Sequence, residues 1–265
     1  MRATSEPDSS IAPTKTAAGN TNRTTLRAGG IAVIIAGLAG IAMFTFELMG
    51  PVLGFDDTDN PAVSLDYLRH YPQFYALSAV AVFTMALANI VASFAISDVL
   101  APRTSSITRR SLSALGLFAA AFLFMHGVLR ESVGPLLYID SVNRTWGESA
   151  YLTIQMLGTH GFLGASLIAL GAWSVGICVA GARSRALPLW LCVLGLVAGL
   201  RLVMLMAGPF LTAANIEFPG FLWVASMALI PLGMLWWLAL GVVLLVKSPP
   251  HRVGTGGSGS TTEIL

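Results

Sequence analysis

The chain has 265 residues, 55% hydrophobic and only 11% charged, with a formal net charge of +2. Its mean hydropathy is +0.75. Soluble domains carry about 25% charged residues, so this composition excludes a soluble globular domain. So small a net charge gives no basis for a nucleic-acid-binding surface.

Residues 1–27 are rich in Ser, Thr, Pro and Asn and read as a disordered tail. The first apolar run follows at 28–50, long enough to cross a bilayer. It is too long and too internal for a cleaved signal peptide, so it is expected to remain as an anchor. Near its end stands Glu47. The loop 51–72 contains FDDTDNPAVSLDYLRHYPQ, whose aspartates lack the spacing of a calcium loop, so a solvated loop is expected. Further apolar runs occupy 73–97, 111–131, 151–181, 187–209 and 220–246. Pro231 should bend the last of them. Residues 248–265, which include VGTGGSGS, form a flexible tail.

No barrel-type alternation of polar and apolar residues appears, so the spans are helices. The expected fold is all-α: a polytopic bundle of six transmembrane helices forming one domain over 28–247. Basic residues set its orientation. Arg2, Lys15, Arg23 and Arg27, then Arg103, Arg109 and Arg110, then Arg183 and Arg185, then Lys247 and Arg252 fall at one end. The opposite connections hold Arg69 and Arg144 against Asp56, Asp57, Asp59, Asp66, Asp140, Glu148 and Glu217. The positive-inside rule then places both termini in the cytoplasm of a bacterial-type plasma membrane.

Small residues mark the helix contacts. Gly161, Ala165, Ala169, Ala172 and Gly176 form a stripe on the fourth span, and Gly195 and Gly199 lie four apart on the fifth. Such stripes let backbones approach closely. Cys178 and Cys192 fall in adjacent spans and read as buried small hydrophobes. There is no CxxC, Walker loop, HExxH or GxSxG.

Polar groups gather in the outer third of the bundle. The third span ends FLFMHGVLRES, with His126, Arg130 and Glu131 within six positions. At 1.5 Å per residue, His126 lies about 8 Å below the outer end and His160, on the fourth span, about 14 Å below. Glu47, Gln155, Thr159 and Arg201 lie at similar levels. Ionisable groups inside a membrane are costly and should turn inward and pair. Glu47 or Glu131 is the expected partner of Arg201. A structural network that fixes helix register accounts for these groups. So does a pocket in which Arg130, Arg201 and Gln155 bind a ligand while Glu47, Glu131, His126 and His160 move protons. An axial haem pair of His126 and His160, or a zinc site of Glu47, His126 and His160, has no spacing signature behind it. No metal and no cofactor are assigned.

The segment GTHGFLGASLIALGAW, continued through ARSRALPLWLCVLGLVAGL, resembles the fourth and fifth helices of a bacterial family of six-helix integral membrane proteins of unknown function. The likeness rests on a His and glycines early in helix four, a short basic loop, and a Leu-Pro start to helix five. It covers about a quarter of the chain and implies the six-helix architecture, with no activity attached.

The functional expectation is a multipass, lipid-binding membrane protein whose outer-half polar pocket binds an amphiphilic ligand or partner helices. The alternatives are a small intramembrane enzyme doing acid/base chemistry on a lipid or isoprenoid, terpene-cyclase-like by analogy only, and a b-type haem or proton-coupled transport protein. The implied partners are membrane lipids, an amphiphilic small molecule and a second copy of the chain in a homo-oligomer.

Overall fold

The computed structural model describes residues 15–55, 60–213 and 219–247. It is all-helical, with no strand among the described residues. Six helical stretches are long and apolar enough to cross a membrane: Thr24–Val52, Pro72–Arg103, Ser106–Val142, Arg144–Arg183, Leu189–Met206 and Gly220–Lys247. The six expected spans are therefore all present, and they fit a multipass membrane protein.

The elements are α1 (Lys15–Val52), α2 (Pro61–His70), α3 (Pro72–Leu100), α4 (Ser106–Glu131), α5 (Val133–Val142), α6 (Arg144–Gln155), α7 (Gly164–Arg183), α8 (Leu189–Ala213), α9 (Gly220–Ala228) and α10 (Ile230–Lys247). A π-helical segment, Met156–Leu163, joins α6 to α7. Local chemistry sets several starts. Asn60, Ser105 and Asn143 accept hydrogen bonds from the backbone N–H groups of Ala62, Thr108 and Trp146. Prolines open α2 and α3, where the missing N–H costs nothing. The sixth span breaks at Leu229, two residues before Pro231, as that proline required. Because α1 begins at Lys15, it includes residues 15–27, which composition assigned to a disordered tail. The rest of that tail, Asp56, Asp57, Asp59, Glu217 and residues 248–265 lie outside the described residues.

The spans close into a ring. α1 packs on α3, α3 on α4, α4 on α7, α7 on α8, α8 on α10, and α10 back on α1. Lipid tails are as apolar as leucine, so helix contacts here depend on close packing and interhelical hydrogen bonds. α7 and α8 approach backbone to backbone: a Cβ on Gly171 would stand 2.7 Å from the Gly199 carbonyl, and one on Gly199 2.7 Å from that of Gly171. Gly199 was on the expected stripe; Gly171, its partner, was not. The core holds Trp173 and Trp236, with Trp173 stacked on Trp237 at 5.6 Å. Several of its polar groups bond across helices. Asn89 donates to the Gly116 carbonyl at 2.9 Å, Ser166 to Ala119 at 3.0 Å and Trp236 to Leu191 at 3.1 Å. Cys178 and Cys192 are free and buried in this core.

The two ends of the ring differ. At one end α2, α5 and α6 form a cap around a small cluster of Leu65, Leu68, Leu136 and Tyr151. The cap is tied by ion pairs. Asp66 meets Arg69 at 3.1 Å and Arg144 at 3.5 Å, Arg144 meets Glu148 at 3.2 Å, and Arg69 also pairs with the buried Asp140. The other end carries Arg103, bonded to the Ser184 carbonyl, and Lys247, bonded to that of Ala186.

Candidate functional site

The site lies under the cap, where α1, α3 and α4 meet. The stretch YPQFYALS opens α3 and places Phe74, Tyr75 and Ser78 on one helix face. On α4, His126 and Arg130 are four apart and share a face. α1 brings Glu47 from the other side. The three helices are consecutive neighbours in the ring, so these faces converge.

Arg130 is the centre. Its Nε donates to His126 Nε2 at 3.1 Å, its Nη1 to Ser78 Oγ at 2.9 Å, and its Nη2 pairs with Glu47 Oε1 at 2.5 Å. Ser78 Oγ in turn donates to the same Glu47 oxygen at 3.0 Å. The guanidinium carbon stands 4.6 Å from the centroid of the Tyr75 ring. His126 also has its ring contacts set. Its Nδ1 lies 2.9 Å from the Gly158 carbonyl, which can only accept, so Nδ1 carries the proton and Nε2 accepts from Arg130. The Gly158 carbonyl comes from the π-helical segment, a distortion that often marks functional sites in helices.

A cavity of about 190 Å³ opens beside this network. Glu47, Tyr67, Ser78, Arg130 and Gln155 supply its polar wall. Phe46, Phe55, Phe74, Tyr75 and Tyr151 supply an aromatic one. Some rings support each other: Phe55 lies 5.3 Å from Tyr67, and Phe46 lies 6.3 Å from Phe74. Arg130 is deep, with 8% of its side chain exposed, whereas Glu47 is 41% exposed. The Tyr67 hydroxyl is buried and has no hydrogen-bond partner. Burial, and then the nearby Glu47 charge, push that phenol above its ordinary pKa, while Arg130 opposes them.

The expected site residues divide. Glu47, His126 and Arg130 come together, and Gln155 lines the same cavity. Glu131 follows Arg130 but is exposed and does not line the cavity. His160 is exposed on the π-helical segment and does not line the cavity. The haem pair and the zinc site both need His126 and His160 at one centre. His126 has both ring nitrogens committed, and among the described residues no three His, Cys, Asp or Glu side chains gather as metal ligands.

Arg201 requires a correction. Neither Glu47 nor Glu131 is its partner. It donates to the Ser226 carbonyl at 3.2 Å, and its Nε, like the Ser226 hydroxyl, is buried without a hydrogen bond. It borders a separate cavity of about 190 Å³ between α8 and α9, walled by Val197, Leu200, Met204, Leu222 and Leu229. Glu47 is bound by Arg130 instead, across α3, whose Ser78 bonds to both.

No family model, no curated protein and no solved structure matches the chain. The likeness of residues 158–200 to a six-helix family thus rests on the quoted pattern alone, and the site has to be read from its own chemistry.

Sequence reasoning missed Ser78, Tyr75 and Tyr67. The aromatic and polar spacing of YPQFYALS was available as a signal. It is a faint one, because aromatic and hydroxyl side chains are ordinary in a membrane span, whereas charged ones are rare.

Proposed function

We propose that this chain is a lipid-facing binding protein of a bacterial-type plasma membrane, with both termini cytoplasmic and the cap on the outer side. The cavity under the cap receives the polar head of an amphiphilic ligand. The observation that supports this reading is the pairing of buried Arg130 with half-exposed Glu47 on the wall of an aromatic cavity. A cavity that sets placed polar groups against an aromatic wall is a usual form of small-molecule site. The orientation follows from the arginines gathered at the uncapped end.

The acid/base reading is weaker on this geometry. Of its four groups, His126 is tied up by Arg130 and Gly158, and Glu131 and His160 lie away from the cavity. Glu47 alone remains for proton transfer.

Native mass spectrometry of protein released from membrane-derived discs tests the proposal. An amphiphile should be retained by the wild type and lost from Val63→Trp, which fills the cavity from α2. A wild-type protein that carries none, and takes up none of a panel of cationic, neutral and anionic amphiphiles, would overturn it.

A further inference from the structure

Resting on that reading of the cavity, we infer the class of its ligand: an ammonium group, held by the Glu47 carboxylate against the faces of Phe46, Phe55, Tyr67 and Phe74.

The charges decide between cation and anion. Arg130 is shielded. Each of its nitrogens already has a partner, its face lies over Tyr75, and it is only 8% exposed. An anion would have to compete with Glu47 for the N–H groups that remain. Glu47 is in the opposite state. Both of its contacts fall on Oε1, which leaves Oε2 without a partner among the described residues, on a side chain 41% exposed at the cavity wall. The open charge in the cavity is therefore negative.

The rest of the wall fits the same ligand. Aromatic faces attract cations, and ammonium headgroups are their common guests. Among the described residues the cap holds three carboxylates, Asp66, Asp140 and Glu148, against the two arginines Arg69 and Arg144. That balance adds no positive field that would draw an anion to the cavity.

The test uses the full chain in neutral maltoside micelles, titrated calorimetrically with dodecyltrimethylammonium, dodecyl sulfate and dodecanol, with empty micelles subtracted. The ammonium probe should bind at least about tenfold more tightly than the other two, the scale of one charge-assisted contact. Glu47→Gln should remove that preference. Because this variant also leaves Arg130 unpaired, Phe55→Leu provides an independent check. It should weaken the ammonium probe about threefold, the scale of an exposed cation–π contact, and leave dodecanol unchanged. Choline alone, run beside dodecyltrimethylammonium, separates a free amine from a lipid headgroup as the source; saturable binding of either supports the site. Tighter binding of the sulfate or the alcohol overturns the ammonium assignment while leaving an amphiphile cavity in place. Binding of none of the probes fails the cavity reading itself.

Discussion

Arg130 and Arg201 are both arginines inside apolar spans, yet they sit in opposite circumstances. Arg130 is surrounded by Glu47, Ser78, His126 and the Tyr75 ring, contributed by three neighbouring helices. Among the described residues, Arg201 has one backbone carbonyl and an apolar cavity. The difference teaches that intramembrane charge alone does not mark a site. What matters is whether the ring order brings complementary groups to the same level. The α1–α3–α4 sector does so, and the α8–α9 sector does not.

The largest effect should come from Arg130. Arg130→Met strands the Glu47 carboxylate and frees Ser78 and His126, so it should cost about 3–5 kcal/mol. Detergent unfolding curves would measure it. A loss no larger than that of Arg201→Met would erase the contrast between the two regions.

The pairing itself can be tested next. Glu47→Leu combined with Arg130→Met should cost less than the two single losses added together, with a coupling of about 1–3 kcal/mol. Strict additivity would mean that the ion pair contributes nothing beyond its parts.

The α8 sector should depend on packing instead of charge. Gly199→Ala drives a methyl to 2.7 Å from the Gly171 carbonyl, where backbone must yield, and should cost about 1–3 kcal/mol. Among the described residues, Arg201→Met strands no acid and gives up one hydrogen bond, so its melting curve should stay within about 1 kcal/mol of wild type. If Arg201→Met proved the more damaging of the two, charge and not packing would hold this sector.

The smallest effect concerns Tyr67. Its phenol is raised above the ordinary value of about 10, chiefly by burial, so the folded state favours the neutral form. That contribution is complete below the unfolded pKa and is lost as pH rises through the folded one. Stability should therefore fall slightly more steeply above pH ~10 in the wild type than in Tyr67→Phe. At neutral pH the phenylalanine variant should be no less stable, because the hydroxyl it removes has no partner.

The legibility of this protein divides along the same line. The spans could be read because each bilayer crossing needs about 20 apolar residues in succession, a local property of the chain. Pro231 announced its break, since a proline cannot donate the helical hydrogen bond wherever it stands. His126 and Arg130 could be paired from their spacing on one helix. The partner of Arg201 could not. Glu47 and Glu131 lay at a plausible depth, but depth says nothing about which helices are neighbours. The break after Glu131, the π-helical segment at Met156–Leu163 and the folding of α2, α5 and α6 into a cap carry no periodic signal either.

By itself, then, the sequence determined the class of fold, the number of spans and the residue types available at each level, because hydropathy and helical period act along the chain. The tertiary structure alone decided that Glu47 belongs to Arg130, that His126 is locked between Arg130 and Gly158, that His160 and Glu131 stand outside, and that aromatic rings from α1, α2 and α3 enclose one cavity. The reason is geometric. A partner in a membrane bundle is set by the order of helices around the ring and by their rotation, and neither is written in any one helix.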